Sequence, residues 1–361
     1  MTNSAESFSA TYAEARTKFR EAAAAAGAKL EHATNPAKGP DGGELTTDIA
    51  WIGPRDAQSV LVTISGTHGV EGFCGSGAQI DWLRRGEAAR LPKDTAALLI
   101  HAINPFGFAW LRRTTEENVD LNRNWIDFAS PPANEAYDKL RHAIVPERWT
   151  DESRKDADAA LAAYATEHGF AALQAAVSAG QYGDPRGVFY GGAHPSWSRR
   201  TQSAILGEYL KNARNVAIID YHTGLGPWGY AEQIVPLKSN SEAFHRAASW
   251  YGCAITSPVD GSSSSADIKG DGLSAASTIL SHSQVTVLAL EFGTVEIMQT
   301  LAALRADAWL HAHGDLRSPQ GRAIKAEMRN AFYGDADDWK GMIAGQSLVA
   351  CRSSVAGLKA A

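Results

Sequence analysis

Three short apolar runs, Ser59 to Ile64, Val216 to Ile219 and Val285 to Leu290, constrain this chain most, because each leads closely into a polar cluster. Continuous apolar runs of this length, bounded by polar and glycine-rich sequence, read as β-strands buried on both faces. The clusters that follow them are His68-Gly69-Val70-Glu71, Asp220-Tyr221-His222-Thr223-Gly224 and Glu291-Phe292-Gly293, and a fourth, Asp120-Leu121-Asn122-Arg123-Asn124-Trp125, lies between. Strands of an α/β sheet deliver the residues at their ends to a common edge, so these polar groups are expected to converge there.

The rest of the chain fits an α/β class. Ser7 to Ala26 reads as an amphipathic helix with a stripe of Phe8, Tyr12, Ala15 and Phe19, followed by a Gly/Pro-rich link from Pro36 to Gly43. From Leu45 a β-run continues through Ile64, then a turn with Gly66, Gly69, Gly72, Gly75 and Gly77, a helix through Arg85, and a strand from Ala96 to Ile103. Between Trp125 and Val216 the pattern is helical, including Ser153 to Ala179, and is interrupted by an ordered loop from Gln181 to Gly192. Ser257 to Gly272, with Ser262 to Ser265 and three glycines, has the composition of a lid. The expected architecture is one domain over residues 1–361, with an N-terminal helix (about 7–26), a helical insertion (about 126–214) and a helical C-terminus (about 299–361).

Composition narrows the function classes. A net charge of -6 and no basic run longer than an arginine pair argue against a nucleic-acid surface or an anionic-membrane binder. Three cysteines, Cys74, Cys253 and Cys351, show no CxxC spacing and suggest neither a disulfide framework nor a thiolate metal site. The N-terminal segment carries Glu6, Glu14, Arg16, Lys18, Arg20 and Glu21, unlike a signal peptide, and no stretch reaches the ~18 apolar residues of a membrane span. A cytoplasmic protein acting on a small peptide or small molecule is expected, with its oligomeric state left open. Nucleotide binding is disfavoured because Gly75-Ser76-Gly77 lacks the GxGxxG continuation. A serine hydrolase is disfavoured because Cys74 and Ala78 flank Ser76 where a GxSxG elbow needs glycines.

His68 and Glu71, three residues apart, can point an imidazole and a carboxylate at one spot, and His222 completes a two-histidine, one-carboxylate set. Catalytic zinc takes three such ligands and leaves a fourth position for water. HxxE alone is a weak signal, since most such pairs are solvated or merely hydrogen-bonded; the companion clusters give it weight.

In order along the chain, His68-x-x-Glu71, Asn104-Pro105-Phe106-Gly107-Phe108, Arg112-Arg113, Asn122-Arg123, His222 and Glu291 resemble the zinc metallocarboxypeptidase family. More narrowly, the chain resembles a bacterial branch of carboxypeptidase-like proteins known only as a domain of unknown function. The resemblance spans Leu61 to Gly293, about two thirds of the chain. It implies a mixed, twisted β-sheet flanked by helices in a carboxypeptidase-like (phosphorylase/hydrolase-like) architecture. It also implies a bound zinc ion, with metal ligands His68, Glu71 and His222.

The same resemblance implies that Glu291 is the general base and then the general acid. Asn122 and Arg123 match the pair that holds a substrate carboxylate, a task suited to a planar guanidinium. Either Arg112 or Arg113 matches the arginine that stabilises the oxyanion. Asp120 matches the carboxylate that orients a metal-binding histidine, here His68. Family members usually carry an arginine inside HxxE and a mobile tyrosine before the glutamate. Here Gly69 and Val70 fill the first place, and neither Tyr230 nor Tyr251 is assignable to the second by spacing. Arg186, beside Tyr190 and Trp197, would suit an acidic or aromatic substrate group.

The implied activity is hydrolysis of an amide or peptide bond next to a free carboxylate, foremost as a metallocarboxypeptidase. Cleavage of N-acyl amino acids, as in the related succinylglutamate desuccinylase and aspartoacylase type, is the alternative. A non-catalytic binding protein on this scaffold is disfavoured by the intact Glu291 and ligand set.

Overall fold

The fold is that of an eight-stranded mixed sheet, seen in a computed structural model that describes residues 3–360. The outermost ends of the expected 1–361 domain, residues 1, 2 and 361, lie outside the described residues. The strands are β1 (Lys29–Lys38), β2 (Glu44–Ile52), β3 (Ser59–Ile64), β4 (Thr95–His101), β5 (Asn215–Trp228), β6 (Ala231–Ile234), β7 (Ile255–Thr256) and β8 (Gln284–Gly293), in the order β1-β2-β4-β3-β5-β8-β6-β7. The central four, β4, β3, β5 and β8, are parallel, whereas β1, β2 and β4 pair antiparallel and β6 joins β8 antiparallel.

The period-2 alternation of a strand sorts the central side chains into two layers. Leu61, Leu99, Ala217, Ile219, Leu288 and Leu290 pack on one face with the helices Tyr12–Ala25, Gly72–Arg84 and Asp337–Ala360. Val60, Val62, Ile64, Leu98, Val216, Ile218, Val285 and Val287 pack on the other with Trp197–Tyr209 and Gly272–Ile279. From β3 the chain continues through the helix Gly72–Arg84 to β4 on one side, whereas β5 pairs on its other side. The carboxyl ends of β3 and β5 therefore flank a point where strand order reverses, the usual place for a binding crevice in such sheets.

Several expectations shift in detail. The first helix begins at Tyr12, not Ser7, because the Thr11 hydroxyl accepts from the Glu14 amide and caps it there. The expected β-run from Leu45 to Ile64 is two strands, β2 and β3, which lie on either side of β4 and run in opposite directions. Gly53, at φ +106, starts the intervening turn, and a Cβ there would meet the Thr95 carbonyl at 2.8 Å. The supposed link at Pro36 belongs partly to β1, an edge strand, where a proline without an N–H is tolerated. Ser153 to Ala179 is broken at Gly169, φ +91, into the helices Asp151–His168 and Phe170–Ser178. Among the described residues no helix is long and apolar enough to cross a membrane.

A separate apolar cluster joins the helices between β4 and β5 to those after β8, through Tyr137, Leu161, Leu173, Phe189, Leu304, Met328 and Phe332. Beside it, Asp307 on the helix Ile297–His313 accepts from Arg112 Nε at 3.0 Å and from Lys325 Nζ on the helix Pro319–Phe332. Burial alone would raise the Asp307 carboxyl, but Lys325 and Arg112 hold it down to about 2. Burial pushes Lys325 down to about 8, so it keeps its charge at neutral pH.

Replacing Asp307 by asparagine leaves two buried cations short of a partner, so Asp307→Asn should destabilise the chain by on the order of 3–5 kcal/mol at neutral pH in urea unfolding. Because the folded value is depressed, the aspartate's contribution is complete above its ordinary pKa of about 4 and is lost as pH falls towards about 2. The gap between wild type and variant should close over that interval; a gap that stays constant there would contradict the assignment.

Candidate metal centre and active site

His68 and Glu71 sit on a turn that leaves the carboxyl end of β3. A short 3-10 turn, Gly69–Glu71, follows His68 and runs into the helix Gly72–Arg84. The turn is fixed from outside: the Gly69 amide donates to the Arg113 carbonyl (3.1 Å) and Val70 to the Arg112 carbonyl (2.7 Å). Asn104 caps the helix Pro105–Ala109 by accepting from the Gly107 amide (2.9 Å) and donates to that same Arg113 carbonyl (3.3 Å). A Cβ on Gly69 would lie 2.1 Å from the Gly107 carbonyl carbon, so only glycine permits this approach.

His222 and Glu291 reach the site on strands, not after them. β5 continues through His222, and Asp220 and His222 prolong the face that carries Val216 and Ile218. On β8, Glu291 prolongs the face of Val285 and Val287, and His222 and Glu291 are register partners across the two strands. One ligand atom from each of His68, Glu71 and His222 comes within 4.8 Å of the others, and all three residues are buried.

Further side chains orient this set. Asp220 accepts from His222 Nε2 at 2.9 Å and from the Thr67 hydroxyl at 2.8 Å. His222 Nδ1 is thereby turned toward Glu71 Oε2, 3.3 Å away, which also accepts from the Thr223 amide. Arg113 donates to Glu71 Oε1 (3.0 Å), to Asp120 Oδ2 (2.9 Å) and to His68 Nε2 (2.7 Å). His68 Nδ1 is buried without a hydrogen-bond partner, with Asp120 Oδ1 3.7 Å away.

The electrostatics divide the two imidazoles. Burial, reinforced by Arg113, pushes His68 well below its ordinary value, so it is neutral, and its Nε2 lone pair faces the Arg113 donor. Burial opposes protonation of His222 as well, but Asp220 and Glu71 outweigh it and raise its pKa. Burial, with Glu71 adding, pushes Glu291 up to about 8. Two imidazoles and a carboxylate around one point, with His68 Nδ1 left buried and without a partner, make a donor set of the kind that fits a divalent metal.

Not every expected residue joins the cluster. Arg112 turns away to Asp307 and Asn118, whereas Arg113 faces the cavity with His68. Asn122 and Arg123 do line the cavity. Asn122 Oδ1 accepts from the Gly272 amide, and the Arg123 guanidinium donates to the carbonyls of Ser178 and Asn122. Asp120 stands by His68 at salt-bridge range, beyond a hydrogen bond, because Arg113 engages it. Arg186 is exposed and does not line the cavity, so it gives no basis for recognising an acidic or aromatic group there. Tyr230 is half-exposed and Tyr251 is bonded to Ser354; neither lines the cavity.

Two contributors carried no sequence signal strong enough to single out. Asp220 lay inside a noted cluster, and its i, i+2 spacing from His222 is the clue once the strand is seen to continue. Phe189 has φ +53, a costly conformation for an aromatic residue. The guanidinium carbons of Arg113 and Arg123 both lie 5.2 Å from its ring centroid, a distance at which cation and ring attract. The cavity beside these groups measures about 380 Å³ and is also lined by the segment from Ser265 to Asp271.

From residue 8 to 346 the sequence matches the family described as "Protein of unknown function (DUF2817)". The chain belongs to that family. No curated protein matches its sequence significantly. Among solved structures, this DUF2817 chain is similar to carboxypeptidase A from Helicoverpa armigera, with 10% identity and a TM-score of 0.52, covering 97% of this chain and 74% of the other. It is also similar to bovine thrombin-activatable fibrinolysis inhibitor (10%, TM-score 0.49, 98% of both chains). An aspartoacylase family protein from Mesorhizobium loti matches at 16% and TM-score 0.37, over 81% of this chain and 68% of that one. At such identities the likeness to the first shows the fold alone: an α/β carboxypeptidase-like sheet.

The close approach of the HxxE turn to Gly107 generates a direct test. Gly69→Ala should destabilise the chain by ~1–3 kcal/mol through overpacking, read as a lower urea midpoint; an unchanged midpoint would show that the turn is not held against Gly107.

Proposed function

We propose that this chain is a zinc-dependent hydrolase that cleaves an amide bond next to a free carboxylate, with metallocarboxypeptidase-type chemistry carried by one catalytic domain over residues 1–361. The observation that carries the reading is the placement of Glu291 beside His222 in register, facing the same cavity as His68, Arg113, Asn122 and Arg123. His68, Glu71 and His222 would hold the metal. Bound zinc supplies an acidified water and a polarised carbonyl.

This chain's own groups supply the rest. Glu291, whose carboxylate is anchored by the Leu225 amide at 3.1 Å, takes a proton from the attacking water and returns it to the leaving nitrogen. A carboxyl whose proton affinity is raised by burial is suited to both halves of that exchange. Arg113, and not Arg112, is the oxyanion donor, since it alone of the two faces the cavity. Arg123 and Asn122 bind the substrate carboxylate: Arg123 keeps N–H groups beyond those bonded to Ser178 and Asn122, and its stem is fixed by those bonds. Asp220 fixes the His222 imidazole, and Asp120 fixes Arg113. The substrate is a small peptide or an N-acyl amino acid, met in the cytoplasm.

Purified wild type should contain about one zinc per chain, lost in His68→Ala, and should hydrolyse C-terminally free dipeptides or N-acyl amino acids. Glu291→Gln should keep the metal and lose roughly a hundred- to ten-thousand-fold in kcat. A metal-free wild type, or an active Glu291→Gln, would refute the mechanism.

A further inference from the structure

The cavity beside the candidate metal centre has one side built mainly from apolar side chains, and this side belongs to two helices that lie outside the carboxypeptidase-like motifs in sequence, one of which Arg123 reaches at the Ser178 carbonyl. The helix Phe170–Ser178 contributes Phe170, Leu173 and Val177, and the helix Ile297–His313 contributes Met298, Leu301 and Leu304; the polar residues they also bring, Gln174, Ser178 and Thr300, donate to the carbonyls of Ser264, Gln174 and Gly224. Deep in the wall, Leu173, Val177 and Leu304 belong to the apolar cluster that joins the two helical regions. At the mouth, Phe170 and Met298 are each 51% exposed. Among the described residues seven large hydrophobic side chains are exposed, and three of them, Phe170, Met298 and Val259, line this cavity. Scattered exposed apolar residues need no explanation, but their convergence on the rim of one cavity marks a surface that gains by being covered.

The wall also favours one kind of substrate group over others. A peptide brings an amide group at every residue and needs partners for each. Helix interiors have already used their backbone groups, so this side presents hydrocarbon and few hydrogen-bond partners. A second carboxylate, as in a succinyl group, would be desolvated against it at a cost. The polar groups that would hold a carboxylate, Arg123 and Asn122, lie in the same cavity. From this arrangement we propose that the substrate is an amino acid carrying a medium or long aliphatic acyl chain, with the chain lying along the wall of Leu173, Val177, Leu301 and Leu304 and leaving past Phe170 and Met298. This rests on the hydrolase reading above and names its substrate class.

The test is a series of N-acylalanines from acetyl to dodecanoyl, with N-succinylalanine and an alanine-terminated tripeptide, assayed for kcat/KM. Alongside it, calorimetric Kd values are measured for the matching N-alkylalanines, which lack the carbonyl and cannot be hydrolysed. Both kcat/KM and affinity should improve by about fourfold for each added methylene that reaches the wall, and the double variant Phe170→Ser, Met298→Ser should flatten the slope at the long end. Because both positions are exposed, this variant should fold. If the series is flat, or the succinyl compound or the tripeptide is preferred, the proposal is overturned while the hydrolase reading stands. If no compound is hydrolysed yet N-alkyl affinity rises with chain length, the hydrolase reading fails and the apolar-chain site is supported.

Discussion

The site depends above all on Arg113. Asp120 and Glu71 are almost wholly removed from solvent, and a carboxylate in that state is costly unless a cation and hydrogen bonds meet it. The Arg113 guanidinium meets both at once, at 2.9 and 3.0 Å, and reaches His68 with its remaining arm. Its backbone carbonyl accepts from Gly69 and from Asn104. The turn bearing His68 and Glu71 and the loop bearing Arg113 therefore cannot form independently. Neighbouring Arg112 extends the dependence outward, since its pairing with Asp307 ties the same loop to the C-terminal helices.

The sheet provides the other half of the geometry. His222 and Glu291 need no loop to bring them together, because parallel strands in register place them side by side on one face. What ends along that face is the helical cover: the residues before them pack under Trp197–Tyr209 and Gly272–Ile279, whereas Asp220, His222 and Glu291 extend past the apolar layer. The same alternation that buries Val216, Ile218, Val285 and Val287 thus points His222 and Glu291 into the cavity. A one-residue slip of β8 would turn Glu291 to the opposite layer.

Much of this was legible in the sequence because it rests on periodicity and local motifs. The central strands are continuous apolar runs, and the three metal-ligand candidates come together as their spacing suggested. Arg112 and Arg113 were indistinguishable because they occupy an irregular segment, where no period fixes which side chain faces which way. β1 was missed because Pro36 and the glycines after it obscure an edge strand that depends on pairing with β2 more than on its own composition. Asp220, though inside a noted cluster, was given no role because Val216 to Ile219 looks like a finished strand, and the polar residues that continue it owe their conformation to flanking partners. Phe189 gave no signal at all: its left-handed backbone and its place near two guanidinium groups are products of tertiary packing.

Charge bears on the cation proposed for this cluster. Four carboxylates, Glu71, Asp120, Asp220 and Glu291, surround the site, whereas two guanidinium groups, Arg113 and Arg123, face them. With neutral histidines the balance is two negative charges in a region from which water is largely removed. The molecule's own response is to take up protons: Glu291 is pushed up to about 8 by burial and Glu71, and His222 rises despite burial because Asp220 and Glu71 face it. Protons bound for that reason are the ones a divalent cation would displace, since it carries the missing charge and requires His222 neutral and its neighbouring carboxylates ionised. The electrostatic strain in the cluster and the donor set of His68, Glu71 and His222 thus favour the same occupant by independent arguments, one from charge and one from coordination chemistry.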